Sequence, residues 1–211
     1  MGYFASKAET IADGIVHLAG LVLAIPASFY LLATLDTANN IWTGTALYVA
    51  TLLFALVASA LYHMLPFERG RDMLGRIDHA SIYFKIAGSY TPVVVLIGSG
   101  FAYGILGLVW ALATLGAVAK LWFWRADSKG SLALYLGMGW MSVLLLWPMW
   151  NALPGASVML IMLGGAIYSL GTLIYKKNGM RYQYAIWHSF VLIASASLFT
   201  AIALSVQAAP H

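Results

Sequence analysis

Seven ionisable side chains stand inside stretches that are otherwise apolar: Asp13, His17, His63, Asp78, His79, Lys85 and His188. An ionisable group in such a setting is costly, which makes each a candidate for function. Asp13 and His17 are four residues apart, as are Ser59 and His63, and Tyr184 and His188. Residues at i and i+4 share one helical face. Three helices would therefore each present a pair of polar groups, and Asp78 adds a fourth. Imidazoles and a carboxylate converging at one level are the raw material of a zinc site. A catalytic Zn2+ takes three protein ligands and keeps one position open for water. The pKa of that water falls toward about 7, so hydroxide is available at neutral pH. Plainer readings compete. His17 and His79 each fit a hydrogen-bonded residue near a helix end, and Asp13 fits a helix N-terminal charge favoured by the dipole. Lys85 fits a side chain snorkelling toward the start of its helix, two turns away.

The elements that must position these residues follow from composition. Of 211 residues, 62% are hydrophobic and 9% charged, and mean hydropathy is +0.86. A soluble domain carries about 25% charged residues, so too little polar surface is present to cover a globule in water. That excludes a soluble enzyme, a disordered tail and a nucleic-acid binder, despite a pI near 9.3. With no cysteine there is no disulfide framework and no thiolate metal site. The chain reads as an all-α integral membrane protein. Crossing the hydrocarbon takes roughly 20 apolar residues per helix, and seven such runs occur, at about 11–35, 41–64, 77–98, 101–123, 131–149, 155–175 and 183–207. Ser99-Gly100 is the slightest of the breaks between them, and none could hold a soluble domain. A single seven-helix transmembrane domain over 1–211 is expected. Its first helix reads as retained rather than as a cleaved signal peptide, whose apolar region runs only about 7–15 residues.

Lys and Arg of short loops stay on the cytoplasmic side. With helix ends numbered alternately, the N-terminal side holds Lys7, Arg69, Arg71, Arg76, Lys120, Arg125, Lys129, Lys176, Lys177 and Arg181. The remaining cation, Lys85, lies within the third run. This predicts a cytoplasmic N-terminus and an external C-terminus, the reverse of a G-protein-coupled receptor, so no G protein is expected as a partner. Acids sort the same way: Glu9, Asp13, Glu68, Asp72, Asp78 and Asp127 fall at or near that side and only Asp36 at the other. Six of the seven intramembrane ionisable residues then share one depth, near the cytoplasmic face. His211 is the last residue and carries no such claim. A retinal protein needs a lysine in the last helix, and 183–207 has none.

These residues carry a family resemblance. Ser59-Ala-Leu-Tyr-His63 resembles the S-x3-H motif on the second helix of the bacterial hemolysin III family, part of a superfamily with progestin/adiponectin-type receptors and alkaline ceramidases. The run RIDHASIYFKIAGSYTP (Arg76–Pro92) resembles that family's third-helix signature, AIWHSFVLIAS (Ala185–Ser195) its seventh-helix motif, and DGIVHLAG (Asp13–Gly20) its first helix. The resemblance implies a zinc ion near the cytoplasmic face, with His63 and His188 as ligands and Ser59 and Asp78 beside them. It also implies a first H-x3-H histidine at position 184, where this chain has Tyr184. Either Asp78 coordinates directly, or His17 reaches in, or metal binding is lost while the fold persists.

Three functions compete on this footing. The first is a zinc-dependent hydrolase of lipid amides or esters in the bacterial plasma (inner) membrane, its lipid substrate entering from the inner leaflet. Asp78 would then orient or deprotonate the water and Ser59 would donate to the developing oxyanion. The second is a non-catalytic membrane-homeostasis or sensor protein in which the polar cluster ties helices together or meets a lipid headgroup. The third is a pore-forming cytolysin, to which the sequence lends little, since no helix shows a continuous polar stripe.

Overall fold

The computed structural model describes residues 6–65, 69–124, 129–177 and 179–209. Glu68, Arg125, Asp127 and His211 lie outside the described residues. Helices α1 (Lys7–Ala33), α2 (Asn40–Met64), α3 (Arg71–Ile97) and α4 (Gly100–Trp122) are followed by α5 (Lys129–Trp140), a 3-10 turn (Met141–Leu145) and α6 (Leu146–Ala152), then α7 (Gly155–Tyr175) and α8 (Gln183–Gln207). With α5, the 3-10 turn and α6 forming one span over Gly130–Ala152, seven helices are long and apolar enough to cross a membrane. Among the described residues there is no strand. The sequence pattern thus yields the observed class.

The helix ends are built by local chemistry. The slight break at Ser99-Gly100 is sharp because Gly98 closes α3 in a left-handed conformation (φ 67°) and the Ser99 hydroxyl accepts from the Ala102 N–H to open α4. Gly permits that φ without a Cβ clash, and Ser is a strong N-cap. α3 begins six residues before the expected 77, behind a left-handed Gly70 (φ 89°), so Arg71–Arg76 are helical rather than loop. The expected plain helix over 131–149 is instead interrupted by the 3-10 turn. Gly137 and Gly139 weaken the helix there. The Tyr90 hydroxyl from α3 lies 2.6 Å from the Met138 carbonyl and 3.0 Å from that of Gly139, which also accepts from Ser142 at 2.8 Å.

Spans follow one another around a ring that α8 closes against α1, while α3 leans inward to touch α2, α4 and α8 as well as α5 and α6. Tyr83, Ala87 and Val94 of α3 are fully buried. Outward faces are apolar instead: Phe29 is 70% and Trp147 77% exposed. A surface of that kind needs lipid, not water, around it.

The tightest seam is between α2 and α3. A Cβ at Gly88 would fall well inside contact distance of Thr51 Oγ1, whose hydroxyl donates to the Tyr48 carbonyl at 2.9 Å. Gly88→Ala should therefore lower stability by about 1–3 kcal/mol through overpacking. Adding Thr51→Ala should recover most of the loss, as read by thermal melting in mild detergent; equal melting of wild type and Gly88→Ala would contradict the packing.

Candidate metal centre

The centre is assembled by the way α1 enters the bundle. Ser6 caps α1 by accepting from the Glu9 N–H (3.3 Å), and Glu9 returns a carboxylate oxygen to the Ser6 N–H (2.7 Å), a complete capping box. The second Glu9 oxygen accepts from the Tyr182 N–H at 2.9 Å. Tyr182 sits just before α8 and holds a left-handed φ of 58°. One carboxylate thus clamps the start of α1 to the start of α8. Asp13 lies one turn beyond the clamp and faces α8.

Asp13 is the hub. Its Oδ1 accepts from His188 Nδ1 at 2.6 Å, its Oδ2 stands 3.3 Å from His63 Nδ1, and its backbone carbonyl accepts from His17 Nδ1 at 2.8 Å. Because that carbonyl can only accept, His17 carries its proton on Nδ1. Its Nε2 then accepts a hydrogen bond from the Ser59 hydroxyl, 3.2 Å away. The three rings lie against one another, with centroids 4.4 Å apart for His17 and His188, 4.5 Å for His63 and His188, and 5.4 Å for His17 and His63. One ligand atom from each of Asp13, His63 and His188 lies within 4.8 Å of the others, so these three could hold a metal ion.

The structure thus brings together His63, His188, His17 and Ser59, as the spacing suggested. Asp78 is at the edge, its Oδ2 4.0 Å from His63 Nε2. Tyr184 is 39% exposed, with its ring 5.5 Å from that of His63 and 6.5 Å from that of His188. Two plain readings need correction. Asp13 is not a helix-end charge, because the capping box occupies that role at Ser6 and Glu9 and the Asp13 carboxylate turns inward. Lys85 does not snorkel: it is 8% exposed, and its Nζ donates to the Tyr168 hydroxyl at 2.9 Å on α7. His79 stands apart from the cluster, its Nδ1 without a hydrogen-bond partner among the described residues. Lys120, counted above with the cytoplasmic cations, is 1% exposed. The i, i+4 pairing with His17 had already placed Asp13 among the polar pairs of the candidate site, but its spacing alone did not mark it as a candidate ligand.

His17, Ser59, His63, Asp78 and His188 all line one cavity of about 1700 Å³, which runs on among apolar side chains of the inner helix faces. The volume exceeds the roughly 300–1,000 Å³ of an ordinary small-molecule pocket and suits a long, flexible ligand.

The Glu9 clamp sets the register of Asp13 against His188. Glu9→Ala should speed amide hydrogen exchange at Tyr182 and along the first turns of α1 and α8, leaving the α2–α3 seam protected. Unchanged exchange at Tyr182 would contradict the clamp.

Known proteins place the chain. A family model described as haemolysin-III related matches residues 4–199. The chain is 36% identical over 195 residues to the hemolysin-3 homolog of Bacillus subtilis (strain 168), covering 90% of this chain and 91% of that protein. It is 33% identical over 195 residues to hemolysin-3 of Bacillus cereus, with 90% and 89% covered. Over 159 residues it is 30% identical to the human monocyte to macrophage differentiation factor, covering 74% of this chain and 64% of that protein. A seven-span chain with this breadth of similarity is a multi-pass membrane protein and belongs to the haemolysin-III-related family.

Proposed function

We propose that this protein is a zinc-dependent hydrolase of lipid amides or esters, seated in the bacterial plasma membrane. Its N-terminus is cytoplasmic, its C-terminus external, and its site lies near the cytoplasmic face. One observation carries the reading: Asp13, His63 and His188 gather their ligand atoms within 4.8 Å beside a cavity large enough for an acyl chain. Two imidazoles and a carboxylate are a fitting donor set for zinc and leave a fourth position for water. In this reading Asp13 fills the corner at which the resemblance implies a histidine and Tyr184 stands instead. Zinc held there would supply a Lewis acid and a water that ionises near neutral pH.

The chain's own groups supply the rest. Asp78, whose carboxylate stands 4.0 Å from His63, would take the proton of the attacking water and return it to the departing amine or alcohol. Ser59 keeps its hydroxyl proton against His17 Nε2, from which it turns to the carbonyl oxygen as charge develops there. His17 holds the backbone carbonyl of Asp13 and so fixes the hub. The lipid enters laterally from the inner leaflet, and its chain lies among the apolar cavity walls.

A second reading, a non-catalytic membrane-homeostasis or sensor protein, is favoured by one observation. The Asp13 carboxylate and its imidazole partners by themselves tie α1 to α8 and α2.

Zinc per chain and turnover of fluorogenic acyl amides and esters separate the two. Asp78→Ala should retain zinc and lose turnover by about 10²–10⁴-fold, the usual contribution of a general base. Asp13→Ala should lose stoichiometric zinc, and Asp13→Ala/Tyr184→His should regain it. Undiminished turnover in Asp78→Ala, or full zinc in Asp13→Ala, would sink the hydrolase reading.

A further inference from the structure

A second polar tier lies beyond the metal centre. Lys85 follows Asp78 by seven residues on α3, and Ser195 follows His188 by seven on α8. Two helical turns carry each about 10 Å further along the same face. Tyr168 of α7 joins them. The Ser195 hydroxyl donates to the Val191 carbonyl at 2.7 Å, so its one proton is taken, and the Tyr168 hydroxyl, 2.6 Å away, donates to Ser195. Tyr168 in turn accepts from Lys85 Nζ at 2.9 Å. The chain of bonds has one direction, and Lys85 begins it.

An ammonium carries three donors, and Tyr168 takes one. Among the described residues every ion pair is between a histidine and Asp13 or Asp78, so no carboxylate faces Lys85 within salt-bridge distance. A buried charge bonded to a single hydroxyl, with the Asp78 carboxylate beyond salt-bridge reach, is expensive unless a counter-charge arrives. Lys85, Tyr168, Ser195, Ser81 and Ser89 all face the cavity. Its walls beyond them, at Val93, Met149 and Ile202, are apolar.

We infer that this tier is an oxyanion subsite, in which Lys85 holds the carboxylate or phosphate of an amphiphile whose hydrocarbon lies in the cavity. The inference deepens the proposed function by naming the ligand class, a single-chain anionic lipid. It rests on the reading that the cavity receives a lipid, and not on whether the metal centre cleaves one.

Binding to the purified full-length chain in neutral detergent tests it, with oleate and 1-oleoyl lysophosphatidate as the two anionic probes and monooleoylglycerol as the neutral one. Wild type should prefer at least one anionic probe to the neutral lipid, and the tighter of the two identifies the source of the oxyanion. Lys85→Met should weaken that probe by roughly 10- to 100-fold, the loss of a charge-assisted hydrogen bond, and leave monooleoylglycerol unchanged. Lys85→Arg should retain anion binding. Equal anion affinity in wild type and Lys85→Met overturns the subsite. So does a parallel loss of the neutral lipid in both Lys85→Met and Lys85→Gln, since Lys85 would then serve the fold. His63→Ala separates the readings. It should keep anion binding, so unchanged turnover in His63→Ala would remove the hydrolase and leave the subsite standing.

Discussion

A carboxylate buried in a membrane protein must have its charge answered, and at Asp13 that requirement organises the bundle. Its two oxygens face Nδ1 of His188 on α8 and of His63 on α2. The carboxylate is satisfied only when α1 lies between those two helices, which is where the fold puts it. Leaving such a group unpaired costs several kcal/mol. Closing the ring of spans and assembling the polar centre are therefore one event. The Glu9 clamp one turn earlier makes the same closure from the helix end, so the register of α1 is fixed twice. Networks of this kind specify one arrangement because each member is expensive to leave unmatched.

The same economy of charge shapes the interior. Two acids, Asp13 and Asp78, and two lysines, Lys85 and Lys120, are all more than 90% buried. The acids sit with the imidazoles at one level. Lys85 lies two turns further on, bonded to the Tyr168 hydroxyl. Apolar side chains surround both tiers, and the cavity joins them. The outward faces, by contrast, carry bulky apolar groups such as Phe29 and Trp147, which leaves the chemistry to the inner faces.

Most of the fold was legible because spans in lipid declare themselves by length and hydropathy. Even the two-residue break at Ser99-Gly100 held, since Gly98 and Ser99 have the side chains that stop and restart a helix. The 3-10 turn at Met141–Leu145 was not legible, since the Tyr90 hydroxyl that bonds the Met138 and Gly139 carbonyls just before it reaches across from α3. The level shared by His17, His63 and His188 could be read from the distance of each to its helix end. Which atoms meet could not. Asp13 fitted a helix-end charge as well as a member of the polar cluster, and its partners His188 on α8 and His63 on α2 decide for the cluster. Lys85 looked like a snorkelling side chain because the sequence does not reveal Tyr168 on a helix 83 residues away. In both cases the deciding partner belongs to another helix.

The claim that Asp13 closes the metal centre is tested most directly by zinc K-edge X-ray absorption on the purified full-length chain. The expected result is one zinc with a mixed nitrogen and oxygen shell at about 2.0–2.2 Å, showing the multiple scattering of two imidazoles and remaining the same in Tyr184→Phe. A shell of three imidazoles, or a chain that takes up no zinc, would contradict it.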